Sequence, residues 1–88
     1  MNEQGILEEL LALLEANEVS IRSEPLGGSG GGFCTIKGRR ILFVDTQAPS
    51  IATATICAEA VPKVVDVEQV YLKPQVRQFI EDHAKQKS

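Results

Sequence analysis

Two apolar, β-branched runs, Phe33 to Lys37 and Arg40 to Asp45, meet at Lys37-Gly38-Arg39, and this commits the middle of the chain to an antiparallel hairpin. Gly38 supplies the positive φ that a tight hairpin turn requires, and the flanking Phe, Thr, Ile and Val side chains suit a pleated strand. The second run, Ile41-Leu42-Phe43-Val44, is apolar at every position, so it is expected at the centre of a sheet and covered on both faces. The polar residues Asp45-Thr46-Gln47 end it.

The remaining elements are read outward from this hairpin. Between Glu3 and Asn17, Ile6, Leu7, Leu10, Leu11 and Leu14 recur at helical spacing while Glu8, Glu9 and Glu15 fall elsewhere, giving an amphipathic first helix that stops at Asn17. Alternation from Val19 to Glu24 predicts a strand closed by Pro25, which has no ladder donor. Pro49 and Ser50 open a second helix, capped by Thr46 or Ser50, that carries small apolar residues and ends near Val61 because Pro62 cannot sit in a straight helix interior. Val67 and Gln69 to Leu72 predict a fourth strand. Pro74 opens a third helix with Val76, Phe79, Ile80 and His83 on its inner face, and residues 85–88 form a polar, frayed tail. The expected order is therefore α-β-β-β-α-β-α. This is an α/β (α+β) fold with a mixed four-stranded sheet: three antiparallel strands, a right-handed helical crossover to a parallel fourth strand, and packed helices.

With 88 residues, the chain reads as a single domain over 1–88 with one modest core. Its 43% hydrophobic and 24% charged residues are those of a globular protein rather than a disordered one. A net charge of −3 makes nucleic acid an unexpected partner, since that binding relies on surplus cations. The cations Lys37, Arg39 and Arg40 gather at a hairpin tip, where they read as a solvated turn. No apolar stretch is long enough for a membrane span, and no secretory pattern opens the chain, so a cytoplasmic location is expected. Cys34 and Cys57 lack metal-ligand spacing and are expected as free thiols. No metal or cofactor is expected.

Five of the seven glycines lie within residues 27–32, inside a loop expected to be flexible over 26–32. Such a run serves positive φ, slack, or close approach to the main chain. A phosphate cradle would need a helix after the loop and, in the nucleotide-binding form, a lysine and hydroxyl; here Phe33 and Cys34 follow. Gly28, Ser29, Gly30 and Gly31 are nevertheless the ligand-binding candidates of the loop. Tyr71 and Arg77, at a strand end feeding a helix, are the other polar handles.

Helix, three antiparallel strands, helix, strand resembles the core of the restriction-endonuclease-like nucleases, which place an acidic residue on the second strand and (Asp/Glu)-x-Lys at the end of the third. The resemblance implies metal-dependent hydrolysis with Asp45 as metal ligand and catalytic residue and Gln47 in the lysine's place. The second strand offers Cys34 instead of a carboxylate, and Glu8, Glu9 or Glu24 would have to complete a metal site. The opening α-β-β-β-α order also resembles a double-stranded-RNA-binding domain, but its lysine clamp is replaced by Ile51-Ala52-Thr53-Ala54-Thr55. Over nearly its whole length, with Glu-Pro-Leu-Gly-Gly, Gly-Gly-Phe-Cys and Val-Tyr-Leu-Lys-Pro-Gln-Val-Arg, the chain resembles small bacterial proteins of unassigned activity. That resemblance implies a bacterial, cytoplasmic origin and carries over no functional residue. The residues themselves suit a small soluble, non-catalytic binding or accessory module that contacts a protein partner or forms a homodimer, through the leucine-rich first helix or an exposed sheet edge; the nuclease-like domain is the alternative.

Overall fold

The computed structural model describes residues 2–28 and 31–84; the tail 85–88 lies outside them. Asn2 caps the first helix, α1 (Glu3–Ala16), by accepting the Gly5 N–H at 2.8 Å. Its leucine stripe is consumed by the core: Leu10 and Leu14 are fully buried, and Leu7 nearly so. The helix ends one residue later than a left-handed Asn17 would end it. Asn17 keeps a negative φ and donates its Nδ2 to Leu13 O, while Glu18 takes the left-handed turn at φ 68. An L-residue there costs about 1 kcal/mol, so Glu18→Gly is expected to raise stability by about 0.5–1 kcal/mol and the thermal midpoint by about 3–6 °C in calorimetry.

Three strands follow, β1 (Ser20–Glu24), β2 (Gly31–Ile36) and β3 (Arg39–Asp45), in the order β1-β3-β2. The β2–β3 hairpin forms with Ile36 opposite Arg39, so the loop is only Lys37-Gly38, at φ 51 and 80. Two consecutive positive φ values are those of the type I′ turn that matches strand twist. β3 is central, as its apolar run requires. The other strand expectations are corrected: β1 runs parallel to β3, Ser20 opposite Ile41 and Glu24 opposite Asp45, and never pairs with β2. β1 and β2 are the two sheet edges.

The second helix, α2 (Ser50–Val64), runs through Pro62 rather than ending before it, its last turn closed by Val65 N–H to Val61 O. Pro49 occupies the cap position without a side-chain bond, and Ser50 donates its hydroxyl to Gln4 instead. That contact sets the starts of α1 and α2 at the same end of the molecule, where β1 and β3 finish. Ala54, Cys57, Ala58 and Val61 are fully buried, and their small size lets α2 lie close against α1 and under β2 and β3. The third helix, α3 (Pro74–Ala84), buries Val76 and Ile80 against α1 and α2 and does not touch the sheet.

The expected fourth strand at 67–72 does not form, and among the described residues the sheet has three strands, not four, with no helical crossover to a parallel fourth. The backbone there is used differently. Asp66 accepts from Glu68 N–H through its side chain and from Gln69 N–H through its carbonyl, which folds the segment into a turn. Arg77 then takes the Val67 and Val70 carbonyls, acceptors that a strand would need for its ladder. Val65, Val67 and Leu72 still pack on the core, which is why the segment reads as apolar.

Among the described residues helices cover β3 on one face only, and on the other Ile41 and Phe43 are half-buried. Opposed residues of neighbouring strands share a face, so Leu42 and Val44 lie with Phe33 and Ile21 over the helices, and Ile41 and Phe43 lie with Cys34 and Gly32 on the other side. Among the described residues no helix packs on that second face. No described helix is long and apolar enough to cross a membrane.

Candidate functional site

Because β1 and β3 are parallel, Glu24 and Asp45 end side by side, and the loop after Pro25 must cross above them to reach β2 on the far edge. Its backbone N–H groups need acceptors on that path. Asp45 Oδ1 accepts from Leu26 N–H and from Gln47 N–H, each at 2.9 Å, and Gln47 Oε1 accepts from Gly27 N–H at 2.7 Å. Thr46 N–H donates to Glu24 O, extending the β1–β3 ladder by one rung. Asp45, only 1% exposed, is thus the brace on which the loop is built.

Glycine is required in this loop at a specific place. Gly31 has φ +83, and a Cβ there would collide with the Phe43 carbonyl; Gly28, at φ +85, looks onto open space. Ser29 and Gly30 lie outside the described residues. Leu26, brought down by the brace, lines a groove of about 460 Å³ at the β2 end of the sheet together with Glu24, Gly31, Gly32, Phe33, Cys34 and Phe43. The carboxylate of Glu24 is 3.6 Å from the Arg22 guanidinium at the groove's rim.

The candidate residues fall into separate places. Asp45, Gln47, Gly28 and Gly31 share the braced sheet end. Tyr71 is 84% exposed beside a different depression, formed by α1 and α3 with Leu13, Leu72 and Lys73. Arg77 points its guanidinium at its own chain's carbonyls. The nuclease-like reading needed three antiparallel strands and a fourth parallel one, and neither is present. Among the described residues, no three His, Cys, Asp or Glu side chains converge as a metal site would need.

The two thiols have opposite environments. Cys34 is half-buried on the open face, opposite Ile41. Cys57 has no exposed surface, and burial pushes its thiol from 9.0 up to about 12. His83 stacks on Phe79 and donates Nδ1–H to the Phe79 carbonyl in one tautomer. A disulfide-exchange reagent should therefore titrate Cys34 alone in the native chain at pH 7–8 and both thiols once it is unfolded. Below pH 9 Cys57 is protonated in both states; between pH 9 and 12 the unfolded chain loses that proton and the folded chain keeps it. Stability should fall as pH rises through that window, and denaturant midpoints at pH 8.5 and 11, with and without Cys57→Ala, isolate the contribution of this thiol.

An exposed sheet edge was expected from sequence, but not that β2 supplies it, nor that a face lies open beside it. The signal was present in the composition of the edges: β2 holds no charge and no proline from Gly31 to Ile36, whereas β1 carries Arg22 and Glu24 and is followed by Pro25. No family model, curated protein or solved structure matches the chain.

Proposed function

We propose that the chain is a small, non-catalytic binding module that docks an extended segment of a protein partner along β2 and onto the adjoining open face. The observation that carries this reading is the unequal treatment of the two sheet edges. An edge strand presents unpaired N–H and C=O groups, and chains that gain nothing from such an edge guard it with charge, proline or cover. β1 is guarded with Arg22, Glu24 and Pro25. β2 pairs with β3 on one side alone among the described residues, and it is six residues of Gly, Phe, Cys, Thr and Ile.

Strand addition supplies affinity through main-chain bonds and selectivity through alternate side-chain pockets. The groove beside Leu26, Phe43 and Cys34 is suited to an apolar side chain of the docked strand. The brace at Asp45 has its role here, because it fixes where β2 begins and where Leu26 stands. Free thiols at Cys34 and Cys57 support a reducing, cytoplasmic setting.

The test is selection of extended peptides from a random display library, followed by amide-shift mapping of the best binder. Shifts concentrated at residues 31–36, Ile41 and Phe43 are expected. Binders that map to Tyr71 and α1 with β2 unmoved, or selection yielding none, would overturn the reading.

A further inference from the structure

We infer that the segment docking on β2 is β2 of a second copy of this chain, paired antiparallel about a two-fold axis at Cys34 to give a sheet of six strands. This rests on the docking reading above and adds the identity and register of the partner. The complementarity is one of shape along a single row of side chains. On the open face β2 presents Gly32, Cys34 and Ile36, graded from no side chain to a large one. Ile36 is 47% exposed, and a Cβ built on Gly32 would meet nothing within 4 Å.

A two-fold axis perpendicular to the sheet reverses that row against itself. Cys34 then stands opposite its own copy, and each Ile36 stands over the partner's Gly32, where the missing side chain leaves room. On the helix-facing side Phe33 falls opposite Thr35 of the other copy, an aromatic and β-branched pair of the kind that stabilises antiparallel ladders. No charged residue of Gly31–Ile36 is brought against another, because the strand has none. A two-fold pairing of one patch with itself closes, so the assembly stops at two. The contact is a single strand pair with its immediate flanks, below the size of permanent interfaces, so the dimer should be concentration-dependent.

Sedimentation velocity across a wide concentration range, combined with a short bis-maleimide, tests the proposal on the full chain. Expected are a monomer–dimer equilibrium and a covalent dimer linked through Cys34, with Cys57 unmodified because it is buried. Gly32→Val should raise the dimer dissociation constant about tenfold or more by filling the space for Ile36, and Ile36→Ala should weaken it by removing the larger partner. The double variant should recover part of the loss, since a small residue then faces a larger one. Circular dichroism establishes that each variant is folded, and Ile36→Ala, at an exposed position, stands in should Gly32→Val fail.

A chain that stays monomeric to roughly 1 mM, weaker than any specific association worth the name, overturns the proposal. So does a dimer that neither cross-links at Cys34 nor responds to either substitution. If library peptides still bind β2 in those cases, strand docking stands and only the identity of the partner falls; if they do not, both fall.

Discussion

Asp45→Ala should lower the stability of the chain by about 2–4 kcal/mol. Truncation strands the Leu26 and Gln47 N–H groups, both now bonded to one carboxylate oxygen, at a residue with almost no contact with solvent. Leu26 is half-buried and Gln47 exposed, so most of the loss falls on the Leu26 donor, where a lost acceptor costs about 1–3 kcal/mol and more when that acceptor is charged. For a domain of this size that is a large fraction of the total. Asp45→Asn keeps an acceptor in the same place and should lose only about 1–2 kcal/mol. Urea unfolding of the two variants checks this, and an Asp45→Ala midpoint close to the native one would show that the loop does not depend on the carboxylate.

Gly31→Ala should be the most costly of the glycine substitutions, at about 3 kcal/mol or more. Two penalties coincide there: a left-handed φ of +83 and a collision of the new Cβ with the Phe43 carbonyl. The first alone costs about 1–2 kcal/mol for an L-residue. Gly28→Ala meets only that first penalty, since its φ is +85 and its surroundings are open, and should cost about 1 kcal/mol. The difference between the two variants in the same denaturant series isolates the close approach of β2 to β3. Equal losses would mean that the approach is unimportant.

What could be read from the sequence depended on how local the deciding interaction was. The β2–β3 hairpin needs only Gly38 and the two apolar runs that flank it, and α1 needs only its own leucine period; both form. The parallel pairing of β1 with β3 depends on a loop that passes over the end of β3 to reach the far edge. Alternation from Val19 to Glu24 is the same whichever neighbour the strand takes. The segment at 67–72 misled for a related reason: Val67 and Leu72 are apolar because they pack on the core, while the carbonyls that decide against a strand are claimed by Arg77, several residues further on.

The site was legible in pieces. The glycine run and Asp45 were both conspicuous, yet their connection was not, because a carboxylate at a strand end serves a turn, a metal or a loop with equal ease. A glycine-rich stretch has many N–H groups and few side chains to satisfy them, so a nearby acceptor such as Asp45-x-Gln47 was the clue. The uncovered face is visible only once the helices are known to share one side. An apolar run at β3 fits a strand covered twice or a strand covered once and offered to a partner, and the hydrophobicity is the same.

Amide shifts recorded as the protein is concentrated test the central claim, that β2 is the contact strand, most directly. Progressive movement is expected at residues 31–36 and at Ile41 and Phe43 beside them, with α1 and Tyr71 unchanged. Movement confined to α1 and Tyr71, with β2 still, would contradict it.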